Sequence, residues 1–186
     1  IVPLYYKLGV TNYLFGQYLE AEYYTNKALI IREQAYGKIH LDVAKGYYLR
    51  AILNKELQLY GQAEKDLEEA ISSMETLLET GVSQDTLRLI WMFEESIRLH
   101  MTLRNNALAL QFWDKTYNHY TQNEEAYFPD IIALYNYKGH IHYNQQKFDL
   151  SDEAFKMAIE IYERYDQPNQ LRETIATIYS DWGVIQ

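Results

Sequence analysis

The chain has 186 residues, no cysteine and a formal net charge of −9 at pH 7. The lack of cysteine excludes disulfides and thiolate metal sites, and the negative charge argues against nucleic acid and anionic membranes as partners. Only 8 glycines and 3 prolines are present, a composition typical of long helices. No apolar run is long enough to cross a bilayer and no signal peptide begins the chain, so we expect a cytoplasmic protein.

Apolar residues recur at steps of three and four along the whole chain, which predicts helices and no sheet. Pro129 and Pro168 are expected in the first turns of the seventh and ninth helices. The predicted helices cover residues 2–15, 18–36, 42–57, 60–79, 84–103, 106–122, 128–145, 149–165 and 168–185.

Turn and capping residues stand where the predicted helices end and begin. Gly37 and Gly81 are expected to supply the left-handed residue that ends a helix, and Gly16 to lie in a tight turn between paired helices. Side-chain oxygens of Asp42 and Ser83 are expected to cap the helices that follow.

The sequence contains an internal repeat. Tyr5 and Ala21 align with Tyr47 and Ala63 at an offset of 42 residues without a gap. The frame recurs 46 and then a further 42 residues along the chain, and a partial fifth copy includes Tyr179. We therefore predict a single array over 1–186, with repeats at approximately 2–36, 42–79, 84–122, 128–165 and a partial fifth at 168–186. The chain lacks an initiator methionine and both ends read as helix interior, so we expect a fragment of a longer protein.

Small residues recur at fixed positions of the repeat, where they would let paired helices approach closely. One helix pair cannot bury its apolar stripe alone, whereas stacked pairs share a continuous core. The fold class predicted is therefore all-α, a right-handed α-solenoid of antiparallel helix pairs with about nine helices. The small residues are Gly9, Ala51 and Gly139 on the first helix of a pair, and Ala21, Ala63 and Ala109 on the second.

These positions resemble the tetratricopeptide repeat (TPR) family. The first repeat carries the resemblance best, with Tyr5, Leu8, Gly9, Gly16, Tyr18, Ala21, Ala28 and Leu29. The spacing of 42 and the phrase KALIIREQAYGKIHLDVAKGYY are similar to kinesin light chains and to repeat arrays of bacterial multidomain signalling proteins. The resemblance implies a bacterial scaffold that mediates protein–protein interaction and binds a protein or peptide.

The chain departs from the family pattern on the first helix of several repeats. Leucine is replaced at Arg50, Ser96 and Lys138, and tyrosine is replaced at Asn12, Asn54, His100 and His142. The third repeat is the most degenerate, with Ile97 at a position where a small residue is expected.

In arrays of this family the first helix of each pair lines the binding groove. Aromatic rings interleaved with cations would suit an extended peptide with apolar and acidic residues. The alternative is that several of these aromatics only pack between neighbouring helices. The groove residues that the resemblance implies are Tyr6, Tyr13, Lys45, Tyr48, Lys55, Arg98, Asn136, His140 and Tyr143.

The residues indicate neither a metal or cofactor site nor an enzyme. His140 and His142 are two apart on a helix and point about 200° from each other, so one ion cannot easily take both. No nucleophile–base motif and no glycine-rich phosphate loop is found.

Two further functions stay open at this stage. The array could sense a ligand and control a fused effector domain, such as a protease, kinase or transcription regulator. It could also serve self-association through an exposed stripe on the last helix, formed by Ile175, Ile178, Tyr179 and Trp182.

Overall fold

The computed structural model describes residues 2–165 and 171–183 of the chain. This described part contains nine α-helices and no strand, which confirms the predicted all-α class. None of its helices is both long and apolar enough to span a bilayer. The helices are α1 (Val2–Leu14), α2 (Tyr18–Tyr36), α3 (Leu41–Glu56), α4 (Tyr60–Glu79), α5 (Thr86–Thr102), α6 (Asn106–Tyr120), α7 (Glu124–Asn144), α8 (Phe148–Tyr165) and α9 (Arg172–Gly183).

The chain divides into two compact units, Ile1–Leu99 and His100–Gln186. In the first unit α1 packs against α2, α3 packs against α4, and α2 also contacts α3. In the second unit α7 contacts α6 and α8, and α8 contacts α9. Short turns join α1 to α2, α3 to α4 and α7 to α8, so each of these pairs is antiparallel. Each unit is thus built of the helix pairs expected of an α-solenoid, and a single array over 1–186 stays a prediction.

The turn inside each helix pair has the same backbone conformation in four repeats. Its left-handed residue is Gly16 (φ 72°), Gln58 (φ 60°), Arg104 (φ 56°) or Gln146 (φ 59°). The N–H of the following residue donates to a carbonyl five residues earlier, at 2.7–3.0 Å in the four copies. This is the Schellman arrangement that ends many helices. The four residues are spaced by 42, 46 and 42, the same offsets as those of the predicted repeat frame.

Small residues lie where paired helices meet, as predicted. Ala21, Ala63 and Ala109 have no exposed surface. A Cβ added to Gly139 would lie 2.5 Å from Cζ of Phe155, a ring that is itself fully buried. Only a residue without a side chain allows α7 and α8 to pack at this distance.

The predicted helix ends are confirmed in part. Gly37 and Gly81 have the expected positive φ values, 75° and 71°. The predicted capping residues are wrong, because both helices begin at other positions than expected. α3 begins one residue earlier, so Asp42 lies inside its first turn and donates its N–H to Nδ1 of His40 at 3.1 Å.

The start of α5 shows the opposite shift. This helix begins at Thr86 rather than 84, and the capping oxygen is Oδ1 of Asp85, which accepts from the N–H of Arg88 at 3.2 Å. Ser83 accepts instead from the N–H of Asp85.

α7 begins four residues before its predicted start, after a 3₁₀ turn at Thr121–Asn123. Pro129 therefore lies inside the helix rather than in its first turn. Because proline has no N–H, α7 lacks one bond to the preceding turn at this point.

α9 is shorter than predicted, and Pro168 with residues 184–186 lies outside the described residues. Its apolar stripe was expected to be exposed, but Ile175 and Ile178 are buried. Trp182 is half-buried and donates its Nε1–H to Asp152 of α8 at 2.7 Å. Of these four residues only Tyr179 is largely exposed, so the stripe expected to serve self-association is mostly buried in the described part of the chain.

Candidate peptide-binding site

Six of the nine predicted groove residues lie in the first unit, on α1, α3 and α5. These helices are the first members of three successive pairs, so side chains at repeat-equivalent positions can line one face. The six are Tyr6, Tyr13, Lys45, Tyr48, Lys55 and Arg98.

A buried carboxylate, Glu95, joins two of these residues. Its Oε1 lies 2.5 Å from Nζ of Lys55, and its Oε2 accepts from Nη2 and Nε of Arg98 at 2.7 and 3.1 Å. Burial raises the pKa of Glu95, but the positive charges and hydrogen bonds of Arg98 and Lys55 outweigh it and hold the pKa below its ordinary value. Glu95 is therefore ionised near neutral pH and holds both cations in place.

Tyr48 and Trp91 provide aromatic surface beside this ion group. The Tyr48 ring packs on the buried cluster that includes Ala51 and Leu99, and its hydroxyl donates to the backbone carbonyl of Trp91 at 3.4 Å. Burial, and then the negative charge of Glu95, raises the pKa of Tyr48 to about 12. The Trp91 side chain is 44% exposed. The face thus has one anchored ring and one exposed ring.

Tyr6 and Tyr13 are half-buried and serve partly as core. Both pack against the buried cluster that contains Ala21 and Leu53. The guanidinium of Arg32 lies 4.5 Å from the centre of the Tyr6 ring, and burial is the main cause that raises the pKa of each tyrosine. Packing between helices therefore accounts for part of the predicted aromatic set.

Lys45 lies on the same helix as Tyr48 and Lys55. Its Nζ is 3.9 Å from Oδ1 of Asp42, a pair within one turn of α3. This pairing reduces the positive charge that Lys45 was expected to bring to the groove.

The other three predicted residues, Asn136, His140 and Tyr143, lie on α7 in the second unit. Nε2 of His140 is 3.0 Å from Oδ2 of Asp181 on α9. Tyr143 is 39% exposed, and Oδ1 of Asn136 is buried without a hydrogen-bond partner among the described residues. These three residues belong to the second unit, whereas Glu95 belongs to the first.

Sequence reasoning missed the contact between Glu95 and Lys55 of the preceding repeat, although a signal was present. Glu95 and Asp181 are 86 residues apart, the distance between the third and fifth repeats, so they occupy the same position of the frame. Each pairs with a side chain on the first helix of the preceding repeat, Lys55 or His140. An acidic residue recurring at one frame position could have indicated this contact.

No cluster of three or more potential metal ligands occurs within 2–165 or 171–183. His142 lies buried in α7, whereas His140 faces Asp181. The two histidines thus have different surroundings, as their spacing indicated.

Comparison with known proteins gives a fold but no function. No protein-family profile matches the chain, and no curated protein matches it. Among solved structures, BtubC (BKLC) from P. vanneervenii matches with a TM-score of 0.77 at 17% identity, over 96% of this chain and 68% of that chain. This similarity confirms the resemblance drawn from the repeat: in fold, the chain is similar to the kinesin-light-chain type of tetratricopeptide repeat.

Proposed function

We propose that the chain is a protein-interaction module that binds an extended, acidic and apolar segment of a partner on the Glu95 face. This face is defined by Tyr13, Tyr48, Lys55, Trp91 and Arg98 around Glu95. The observation that supports it best is the buried Glu95 carboxylate holding two cations beside an exposed indole.

The ion group favours a ligand carboxylate. Glu95 contacts both cations, and Oε1 of Glu56 lies 3.8 Å from Nζ of Lys55, so the guanidinium of Arg98 is the group proposed to meet a ligand carboxylate. The Arg98 side chain is 37% exposed, and guanidinium groups bind carboxylates through paired hydrogen bonds. Because Glu95 already restrains the Lys55 and Arg98 side chains, these side chains would lose less conformational entropy when a ligand binds.

The aromatic side chains favour an apolar residue next to that carboxylate. The Tyr48 ring is held by packing on the buried cluster that includes Ala51 and Leu99. The Trp91 ring, which has the guanidinium of Arg88 5.8 Å from its centre, is 44% exposed and offers flat area with few rotatable bonds. Rigid aromatic and arginine side chains carry most of the binding energy at protein interfaces. An extended segment that alternates apolar and acidic residues would place its apolar side chains on the aromatic rings and its carboxylates on the cations.

A selection experiment tests this function. Peptides enriched from a random display library on the wild-type protein would be measured by calorimetry against a Trp91→Ala, Arg98→Ala variant. We expect the selected peptides to be acidic and apolar, and the variant to bind them roughly 10- to 100-fold more weakly.

The matched control removes an exposed aromatic and an exposed arginine elsewhere, through Tyr23→Ala and Arg164→Ala. It should bind like the wild type. Equal binding by the Trp91 and Arg98 variant would rule out the Glu95 face as the site.

A further inference from the structure

The second unit contains a cleft of about 470 Å³ between α6, α7 and α8. Its volume lies in the range of ligand-binding clefts. It is lined by different residues from the groove predicted on α7, and the Glu95 face belongs to the other unit.

The first unit contains the equivalent cleft, of about 410 Å³. Every residue lining the second-unit cleft has a counterpart 88 residues earlier that lines the first-unit cleft. The first-unit cleft is lined by a polar network of hydrogen-bonded side chains. Arg50 donates to both carboxylate oxygens of Asp66 at 2.8 and 2.7 Å and to Asn26 at 3.0 Å, and Asn54 donates to Asp66 at 2.9 Å.

The second-unit cleft lacks this network, and four of its lining positions are apolar where those of the first-unit cleft are polar. Leu150 is 42% exposed although it lines the cleft, so part of this apolar surface faces solvent. Leu110, Leu150, Ala154 and Met157 stand where the first-unit cleft has Glu22, Gln62, Asp66 and Glu69.

The charges around the second-unit cleft are also rearranged. Lys138 stands in place of Arg50, and its Nζ lies 3.9 Å from the centre of the buried Trp113 ring. The charge of Lys138 therefore lies against an aromatic face. The charge of Arg50, by contrast, lies against the carboxylate of Asp66, whose counterpart in the second unit is Ala154. The exposed Asp114 and Glu153 add two negative charges, so the lining is net negative when His142 is neutral.

We propose that the second-unit cleft binds an aliphatic side chain of a partner segment that has lysine or arginine next to it. The apolar lining would take the aliphatic group, and the basic residue would meet Asp114 or Glu153. Charge complementarity selects this occupant, because both the cleft and the whole chain are negative. The site is independent of the Glu95 face, whose proposed ligand is acidic.

The test titrates the whole chain with a capped peptide of alternating leucine and arginine, followed by methyl NMR. Peptides of leucine with glutamate and of serine with arginine serve as controls. We expect shifts at the methyl groups of Leu110, Leu150 and Met157 with the leucine–arginine peptide, and at least roughly tenfold weaker binding by both control peptides. Shifts confined to other residues, no shifts at millimolar peptide, or equal binding of the serine–arginine peptide would overturn the proposal.

A variant of the apolar lining completes the test. Leu110→Gln with Met157→Gln makes two of the apolar lining positions polar without adding charge, and should weaken binding of the leucine–arginine peptide at least roughly tenfold. Leu103→Gln, at another exposed leucine in this unit, should leave binding unchanged. If the double variant does not fold, the exposed substitution Leu150→Gln takes its place. Undiminished affinity of a folded cleft variant would contradict the proposal.

Discussion

Lys55 and Glu95 are 40 residues apart in the sequence, yet Nζ of one lies 2.5 Å from Oε1 of the other. The contact joins the first helix of the second repeat to the first helix of the third. The Glu95 side chain is 5% exposed and that of Lys55 is 22% exposed, so the carboxylate depends on its partners for the solvation it loses. The pair fixes both the neighbouring helices and the position of a cation on the Glu95 face.

Replacing Glu95 with Gln should reduce stability at pH 7. The substitution keeps the shape of the side chain but removes the carboxylate that Lys55 and Arg98 share. Because both cations are partly exposed, water can replace some of what is lost, and we expect a decrease of about 1–2 kcal/mol in the free energy of unfolding. Urea unfolding of the two proteins measures it, with the exposed Glu79→Gln as the control that should lose almost nothing.

The ionisation of Glu95 should make the difference in stability between the wild type and Glu95→Gln depend on pH. The pKa of Glu95 is lower in the folded protein than its ordinary value of 4.5. Its contribution is therefore fully present above pH 4.5 and is lost as the pH falls through the lowered folded pKa. The wild-type and Glu95→Gln proteins should converge in stability below pH 4.5, and a constant difference down to the acid transition would show that the ion group contributes nothing.

The turn residues with positive φ offer a gain in stability. Gln58, Arg104 and Gln146 adopt the conformation that Gly16 adopts in the first repeat, and side chains disfavour it. Each substitution to Gly should raise the free energy of unfolding by about 0.5–1 kcal/mol, after the larger entropy loss of Gly is counted. Gly16→Ala should lower it by about 1 kcal/mol, although nothing lies within 4 Å of the added Cβ. Thermal and urea unfolding of the four variants measures these changes. A change in the free energy of unfolding with the opposite sign would mean that the turn at that position is misassigned.

Gly139→Ala should be destabilising for a different reason. The added Cβ would lie 2.5–2.7 Å from three atoms of the Phe155 ring, which is fully buried. Overpacking of this kind costs about 1–3 kcal/mol. Gly61→Ala is the matched control, because Gly61 is exposed in α4 and has no atom within 4 Å of an added Cβ. A loss of stability at Gly61 equal to that at Gly139 would mean that packing against Phe155 is not the cause.

Ala63→Leu should disturb the equivalent contact in the first unit. Ala63 is fully buried in a cluster with Ala51 and Leu67, so three additional carbons have no room without movement of α3 or α4. We expect a loss of about 1–3 kcal/mol, measured by urea unfolding. A change within experimental error would show that this contact tolerates a larger side chain.

The repeat frame could be predicted because it depends on local backbone chemistry and on residue size. Gly16 in the first repeat located the turn, and the same conformation recurs at Gln58 although the sequence there has no glycine. Ala21 and Ala63 likewise located the close helix contacts. Such features recur at a fixed period, so one copy supports the interpretation of the next.

The site was harder to predict because its contacts are between side chains of different repeats. Lys55 was expected to face a ligand, but which carboxylate it meets depends on how α3 and α5 pack. The predicted cap of α5 was wrong for a local reason. Ser83 and Asp85 both have a side-chain oxygen that can cap a helix, and the position of the first turn selects Asp85. On α9, periodicity found the apolar stripe, but Ile178 packs inward in the structure.

The most direct test of the Glu95 face is the NMR footprint of a library-selected peptide on the wild-type chain. We predict that the largest amide and side-chain shifts occur at Tyr48, Lys55, Trp91 and Arg98. We also predict that adding salt weakens binding, since exposed charge pairs are screened. A footprint that leaves these four residues unchanged, with shifts only in the second unit or on α2 and α4, would contradict the proposed function.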